Sequence, residues 1–236
     1  MVLLREALES YMAPEVATSV LFDALERAGG PPPGSLEAAR SFARGALADA
    51  VRGRVEAKAA SEIIHDIDQL FDRATEGDGV TLDVEVDLTL ASDAGGGEGG
   101  TSTHVMQVVR SPVPVVVLSE GALFAEKLVI CLGEDRVATA SVSTEAGLRK
   151  TVFAHAPLLV LIDAVSPAAI EAAALCSAIK ALPTNALPIL WGSQSAWARS
   201  VLPALDAAGT RVLTIDRDEG IEPLLDLILS RYRGDS

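Results

Sequence analysis

Strand and helix patterns alternate five times between residues 112 and 233, and this regularity limits the fold more than any other feature of the chain. Apolar runs predict strands at 113–119, 138–143, 158–163, 187–193 and 211–216. Helical patterns follow or separate them at 121–133, 144–154, 168–181, 195–208 and 220–232. The apolar runs lack the polar alternation of a half-exposed strand, so they suit strands that are buried on both faces. The pattern therefore predicts an α/β domain with a parallel sheet.

Polar side chains follow four of the five predicted strands. Ser119 and Glu120 follow the first strand, Asp163 ends the third, Ser193 ends the fourth and Asp216 ends the fifth. In parallel sheets the chemistry lies at the carboxyl ends of the strands, so we expect these side chains to share one rim. An acidic group directly after a buried strand is costly unless it is used or neutralised, which makes Asp163 the central candidate.

The strand ends resemble the receiver domain of two-component response regulators over residues 112–233, about half the chain. LIDAVSP keeps the family spacing between the phospho-accepting aspartate, here Asp163, and a proline four residues later, here Pro167. LPILWGS resembles the fourth strand with its phosphoryl-binding hydroxyl, here Ser193, and an AAG turn precedes RVLTID as in the approach to the fifth strand. The resemblance implies a (βα)5 fold with a flavodoxin-like sheet and, in an active member, phosphorylation with Mg²⁺.

Three positions depart from the receiver pattern. Ser119-Glu120 replaces two adjacent acids, Asp216 replaces the lysine that ends the fifth strand, and Leu213 replaces the aromatic switch residue. With one acid fewer, fewer carboxylate oxygens are available to bind Mg²⁺, which leaves Glu120 and Asp163 as weak magnesium candidates. An aspartate in place of a lysine also disfavours the negative charge of a phosphoryl group.

These departures predict a degenerate receiver, or pseudo-receiver. Its Asp163 is expected to form local hydrogen bonds, to Ser193 or Ser119, rather than to accept a phosphoryl group. Crowding of Asp163 with Glu120 and Asp216 would raise the pKa of at least one of these carboxyls.

We further expect no positively charged side chain near this rim, so an anion bound there would find no balancing charge. Arg217 directly follows Asp216, and successive residues of a strand point to opposite faces of the sheet.

The first 75 residues show helical spacing throughout and are predicted to form a helical domain. Four amphipathic helices are expected, within residues 3–12, 13–29, 35–54 and 56–74. A bundle of this size often completes its core by pairing with another chain.

Residues 76–111 are predicted to be an acidic β-hairpin and glycine-rich linker, with a flexible linker as the alternative, and residues 112–236 the receiver-like domain. Strict alternation from Val80 to Leu90 predicts a strand with an acidic outer face, which is interpreted as solvated and edge-protecting rather than as a cation site.

Composition excludes several classes of partner. A net charge of −14 argues against nucleic acid or an anionic membrane surface as the main partner. No apolar run approaches the ~18 residues of a membrane span, and the N-terminus lacks a signal-peptide pattern, so a cytoplasmic protein is expected. Cys131 and Cys176 lie among apolar residues of predicted helices and are expected to be buried thiols.

We therefore expect a non-catalytic signalling or scaffold protein, without a cofactor, whose helical module and pseudo-receiver bind an unidentified protein partner or a second copy. Trp197 is a candidate partner-binding residue, and His65 is interpreted as a surface histidine rather than a phosphate relay. The alternative is a response regulator phosphorylated on Asp163 by a histidine kinase, with Mg²⁺ and with the helical bundle as output. A third reading, a small α/β enzyme, lacks a nucleophile–base pair.

Overall fold

The structure is a computed structural model that describes residues 1–76 and 110–234. The strand predicted from Val80 to Leu90 lies outside these residues. The α-helices within residues 1–76 are α1 (Val2–Glu9), α2 (Pro14–Ala28), α3 (Leu36–Phe42), α4 (Ala48–Arg52) and α5 (Ala57–Glu76).

Local signals set the limits of these helices. Pro14 opens α2, where its missing N–H is not needed, and Gly29 ends the helix in the left-handed region with φ +65°. Ser35 caps α3 by accepting a hydrogen bond from the Ala38 amide at 3.1 Å. A π-helical turn at Ala43–Leu47 joins α3 to α4, so the helix predicted over 35–54 is interrupted near its middle.

The C-terminal half contains the five predicted strands and five helices. The strands are β1 (Val113–Leu118), β2 (Val137–Val142), β3 (Leu159–Asp163), β4 (Leu187–Trp191) and β5 (Leu213–Ile215). The helices are α6 (Leu123–Leu132), α7 (Glu145–His155), α8 (Ala172–Lys180), α9 (Ala196–Ala207) and α10 (Glu222–Arg233). All strand pairs are parallel and their order is β2-β1-β3-β4-β5, which confirms the predicted α/β domain and is consistent with a flavodoxin-like fold.

The two faces of the sheet bury different helices. Val160 and Ile162 of β3 belong to the core beneath α7, α8 and α9. Leu159 and Leu161 belong to the core beneath α6 and α10, and strand alternation places Asp163 on this same face.

The N-terminal helices complete their core against α6 and α10 of the same chain. One hydrophobic cluster runs from α1 and α2 through α6 and α10 to the sheet. Phe22 of α2 meets Phe124 of α6 edge to face, with ring centroids 5.7 Å apart. Between α2 and α10, Ser19 donates a hydrogen bond to Glu222 at 2.6 Å, and Arg54 pairs with the same carboxylate at 2.6 Å. The domain boundaries near residues 75 and 111 stay a prediction.

Both cysteines are buried and free, which confirms the sequence prediction. Burial raises the pKa of the Cys131 thiol well above its usual range, because α2 and α6 exclude water from it. In the described ranges, no helix is long and apolar enough to cross a bilayer.

Candidate functional site

A pocket of about 280 Å³ opens at the carboxyl ends of β1, β3 and β4. Its polar and aromatic lining comes from both halves of the chain, and includes Glu26, Ser119, Glu120, Lys127, Asp163 and Trp191. The sheet therefore places Asp163 at the edge where α/β sheets carry their binding sites, as the sequence predicted for that residue.

Asp163 is buried, with 5% of its surface exposed. Its Oδ1 accepts hydrogen bonds from the backbone amides of Val165 at 2.9 Å and Ser166 at 3.2 Å, so the expected bonds to serine hydroxyls are replaced by backbone donors. Burial raises the pKa of Asp163, and the nearby Glu26 carboxylate raises it further. The two amides and the Arg217 guanidinium act in the opposite direction without cancelling the rise.

The residues after β1 form one wall of the pocket. Ser119 is buried and its hydroxyl donates to the carbonyl of Gly121. Glu120 is exposed, and its backbone amide donates to the Ser166 carbonyl at 2.8 Å. This bond ties the loop after β1 to the loop after β3, whose amides hold Asp163.

Ser193 and Asp216 lie just beyond the carboxyl ends of β4 and β5, at the expected edge of the sheet, but neither lines this pocket. β4 ends at Trp191, and Gly192 turns the chain away with φ +80° before Ser193 is reached. Asp216 accepts a hydrogen bond from the Asp218 amide at 3.1 Å, which caps the short 3-10 turn after β5.

Two further predicted positions also lie apart from the pocket lining. Leu213 is on the edge strand β5 with 42% of its surface exposed. Trp197 is half-buried on α9, where it lines a separate hollow with Pro167 and Val201.

The expectation that no positive group lies near Asp163 is wrong. Lys127 of α6 lines the same pocket with only 5% of its surface exposed, and its ammonium donates to Oε1 of Glu26. Arg217 donates to Oε2 of Glu26 at 3.0 Å. Arg217 lies in a 3-10 turn and not on a strand, so the alternation of side chains along a strand does not determine its direction.

An aromatic stack places Glu26 at the pocket. Phe22 lies one turn before Glu26 on α2 and packs edge to face on Phe124. Phe124 in turn stacks on Trp191 at the end of β4, with centroids 6.0 Å apart and an interplanar angle of 21°. The packing of Phe22 on Phe124 therefore also places the last turn of α2, with Glu26, over the strand ends.

The carboxylate oxygens at this pocket are not arranged to bind Mg²⁺. Mg²⁺ requires several oxygen ligands in near-octahedral geometry. Glu26 is engaged by two cations, and one oxygen of Asp163 by two amides. Within the described parts of the chain, no group of three or more acidic, histidine or cysteine side chains is arranged to hold a metal ion.

Sequence reasoning missed Lys127 and Glu26. A signal for Lys127 was present, because it is the single basic residue in the otherwise mostly apolar helix LFAEKLVICL and its neighbours Leu128 and Cys131 are core residues. Glu26 carried no such signal, because its helix shows an ordinary amphipathic pattern.

The raised pKa of Asp163 predicts a pH-dependent stability. The folded protein holds this proton more tightly than the unfolded chain, so the free energy of unfolding falls as the pH rises through the unfolded pKa of ~3.9 and levels off above the folded pKa. Asp163→Asn keeps an acceptor oxygen for both amides and removes this loss. We expect the variant to be more stable than the wild type at about pH 7, with a gain that disappears below about pH 3.

Urea denaturation across this pH range measures the difference. Asp206→Asn, at an exposed carboxylate of α9, controls for the loss of one negative charge. A gain for Asp163→Asn that grows toward acid pH would contradict the prediction.

No protein-family model, no curated protein and no solved structure matches this chain. The pocket itself combines a buried carboxylate, Asp163, with a second carboxylate, Glu26, that lies between Lys127 and Arg217. Two cations thus bind a carboxylate beside the strand ends, and that carboxylate is Glu26 of the same chain.

Proposed function

We propose that residues 112–233 form a degenerate receiver domain, and that the chain is a non-catalytic signalling or scaffold protein that binds protein partners. The five-stranded parallel sheet and the position of Asp163 at the end of β3 support the receiver part of this proposal. Because one fold hosts many functions, the functional part rests on the pocket and not on the sheet.

The contact between Glu26 and the two cations is the observation that carries the proposal. Phosphoryl transfer to an aspartate needs positive charge to balance the charge that develops on the phosphoryl group. Lys127 and Arg217 are both engaged by the single Glu26 carboxylate, which reduces the positive charge that they offer to a phosphoryl group. An incoming phosphate would meet the carboxylates of Glu26 and Asp163 together with these cations. At ~4 Å and an effective dielectric constant of ~20, each like-charge pair costs about 4 kcal/mol before screening, which offsets the attraction of a cation.

One observation favours a second candidate, the phospho-accepting response regulator. Lys127 lines the same pocket as Asp163, so a buried ammonium is available to a phosphoryl group if Glu26 leaves. In that reaction an oxygen of the Asp163 carboxylate bonds to the phosphorus of the donor, while the donor's leaving group departs with the electron pair.

Intact mass after incubation with a small phosphodonor and Mg²⁺ separates the two candidates. We expect the wild type to keep its mass, as does an Asp163→Ala control that lacks the acceptor. A stable mass gain of one phosphoryl group in the wild type, absent in Asp163→Ala, would overturn the non-catalytic proposal and establish the phospho-accepting one.

A further inference from the structure

Strand β2 forms one edge of the sheet and, among the described strands, pairs with β1 alone. Its six residues, VATASV, contain no charged side chain and no proline, the residues that usually keep an edge strand from pairing further. The opposite edge, β5, is only three residues long. β2 is therefore the edge of the sheet that is better able to accept another strand.

The register of β2 against β1 fixes which of its backbone groups point outward. The carbonyl of Val142 accepts a hydrogen bond at 3.0 Å from the amide of Ser119, the residue after β1. Because the bonding side alternates along a strand, the N–H and C=O groups of Thr139 and Ser141 point away from β1. These outward groups form no hydrogen bond with the described residues. Donors and acceptors thus alternate along the open edge.

An apolar groove of about 560 Å³ lies beside these two residues. Thr139 and Ser141 line one side of it, and α6 and the loop after α2 line the other, through Ala122, Ala125, Val129, Ile130, Pro31 and Pro32. Side chains of a strand alternate between the two faces of a sheet, so every second side chain of an added strand would enter this groove. The edge therefore offers backbone hydrogen bonds, and the groove offers cover for apolar side chains.

Glu126 is the charged residue of the groove lining. It is exposed and forms no ion pair with the described residues, on a chain with a net charge of −14. A basic side chain in the groove would pair with Glu126, whereas an acidic one would be repelled. On the other face of the sheet, Glu145 of α7 is already paired with Arg149 at 2.7 Å, and Lys150 is exposed. The preference for a basic residue therefore applies to the groove side only.

We propose that the edge of β2 binds an extended segment of a partner protein, with apolar side chains at alternate positions and a lysine or arginine opposite Glu126. The segment adds one strand to the sheet. Backbone hydrogen bonds to Thr139 and Ser141 supply affinity, and the groove selects the side chains. This inference rests on the proposed protein-binding function but not on the pocket at Asp163, so the phosphodonor experiment and the peptide experiment below can fail separately.

Isothermal titration calorimetry of the full chain with a synthetic peptide tests the proposal. The probe is the acetylated and amidated octapeptide TKTVTVTK, which presents valines and lysines on one face and threonines on the other. We expect the wild type to bind it in a one-to-one complex, and to bind the matched peptide TETVTVTE about 10-fold or more weakly. Glu126→Lys should reverse this preference. Asp206→Lys, which makes the same charge change at an exposed carboxylate of α9, should keep it.

Backbone methylation separates strand pairing from apolar attraction. Two further versions of the lysine peptide carry N-methyl groups on alternate residues, in one phase or the other, and only one phase blocks the N–H groups that face β2. We expect that phase to weaken binding roughly 10-fold or more and the other phase to leave it nearly unchanged. Thr139→Pro removes an outward N–H while keeping the bonds to β1, so it should weaken binding to a similar extent.

Three results would overturn the proposal: a wild type that binds no peptide, equal affinity for the lysine and glutamate peptides, or equal effects of the two methylation phases. Sedimentation equilibrium adds a fourth. A wild-type dimer that forms without peptide and is lost in Thr139→Pro would assign the edge to a second copy of the chain instead.

Discussion

Phe22→Ala is expected to lower the free energy of unfolding by about 3–5 kcal/mol, the usual range for a buried phenylalanine. The Phe22 side chain is 2% exposed and forms the edge-to-face contact with Phe124 that joins α2 to α6. Because one hydrophobic cluster spans the N-terminal helices and the sheet, the loss should appear as a shift of a shared transition. Chemical denaturation, followed by circular dichroism, measures it.

Phe153→Ala is the control for this prediction, since it removes the same ring from a position that is 93% exposed. It should change the free energy of unfolding by less than about 0.5 kcal/mol. Equal effects of the two substitutions would show that α2 is not packed on α6 as described.

Glu26→Gln should destabilise the folded protein by about 1–3 kcal/mol, because it leaves the buried Lys127 ammonium without its carboxylate. The Lys127 side chain is 6% exposed, so water replaces the lost partner only in part. Lys127→Met should remove this dependence, and in that background Glu26→Gln should cost about 1 kcal/mol or less, the value of the remaining exposed pair with Arg217.

The double-mutant cycle built from these variants gives the coupling energy between Glu26 and Lys127. Glu62→Gln serves as the control for charge removal, because its pair with Lys58 is largely exposed and should contribute less than about 0.5 kcal/mol. A coupling energy near zero would show that the two groups do not depend on each other.

The sheet could be predicted because each strand and helix is marked by its own short stretch of sequence. Strands such as β3 are continuous apolar runs, and the helices between them have their own periodicity, so element order and parallel topology follow from the pattern. The position of Asp163 at the end of β3 follows from the same run.

The pocket could be predicted only in part, because side-chain directions at strand ends depend on short turns. The run LPILWGS gave no sign that the strand stops at Trp191 and that Gly192 diverts Ser193. Asp216 was expected to crowd Asp163 at a common rim. It instead precedes a 3-10 turn, and its carboxylate accepts a hydrogen bond from the amide of Asp218.

The closing of the pocket by the N-terminal half was beyond sequence reasoning. Glu26 and Lys127 are 101 residues apart, and their contact depends on how α2 packs on α6. Each helix shows an apolar face, but the periodicity of one helix does not identify which other face will cover it. The packing of α2 on α6 is tertiary information. It brings cations to a site that the sequence predicted to be purely acidic.

NMR of the lysine ammonium groups tests most directly whether Glu26 holds Lys127 at the strand-end pocket. We expect one ammonium signal in the wild type that is protected from exchange at about pH 7, absent in Lys127→Met and shifted in Glu26→Gln. A Lys127 signal that is unchanged by Glu26→Gln would contradict the closed pocket.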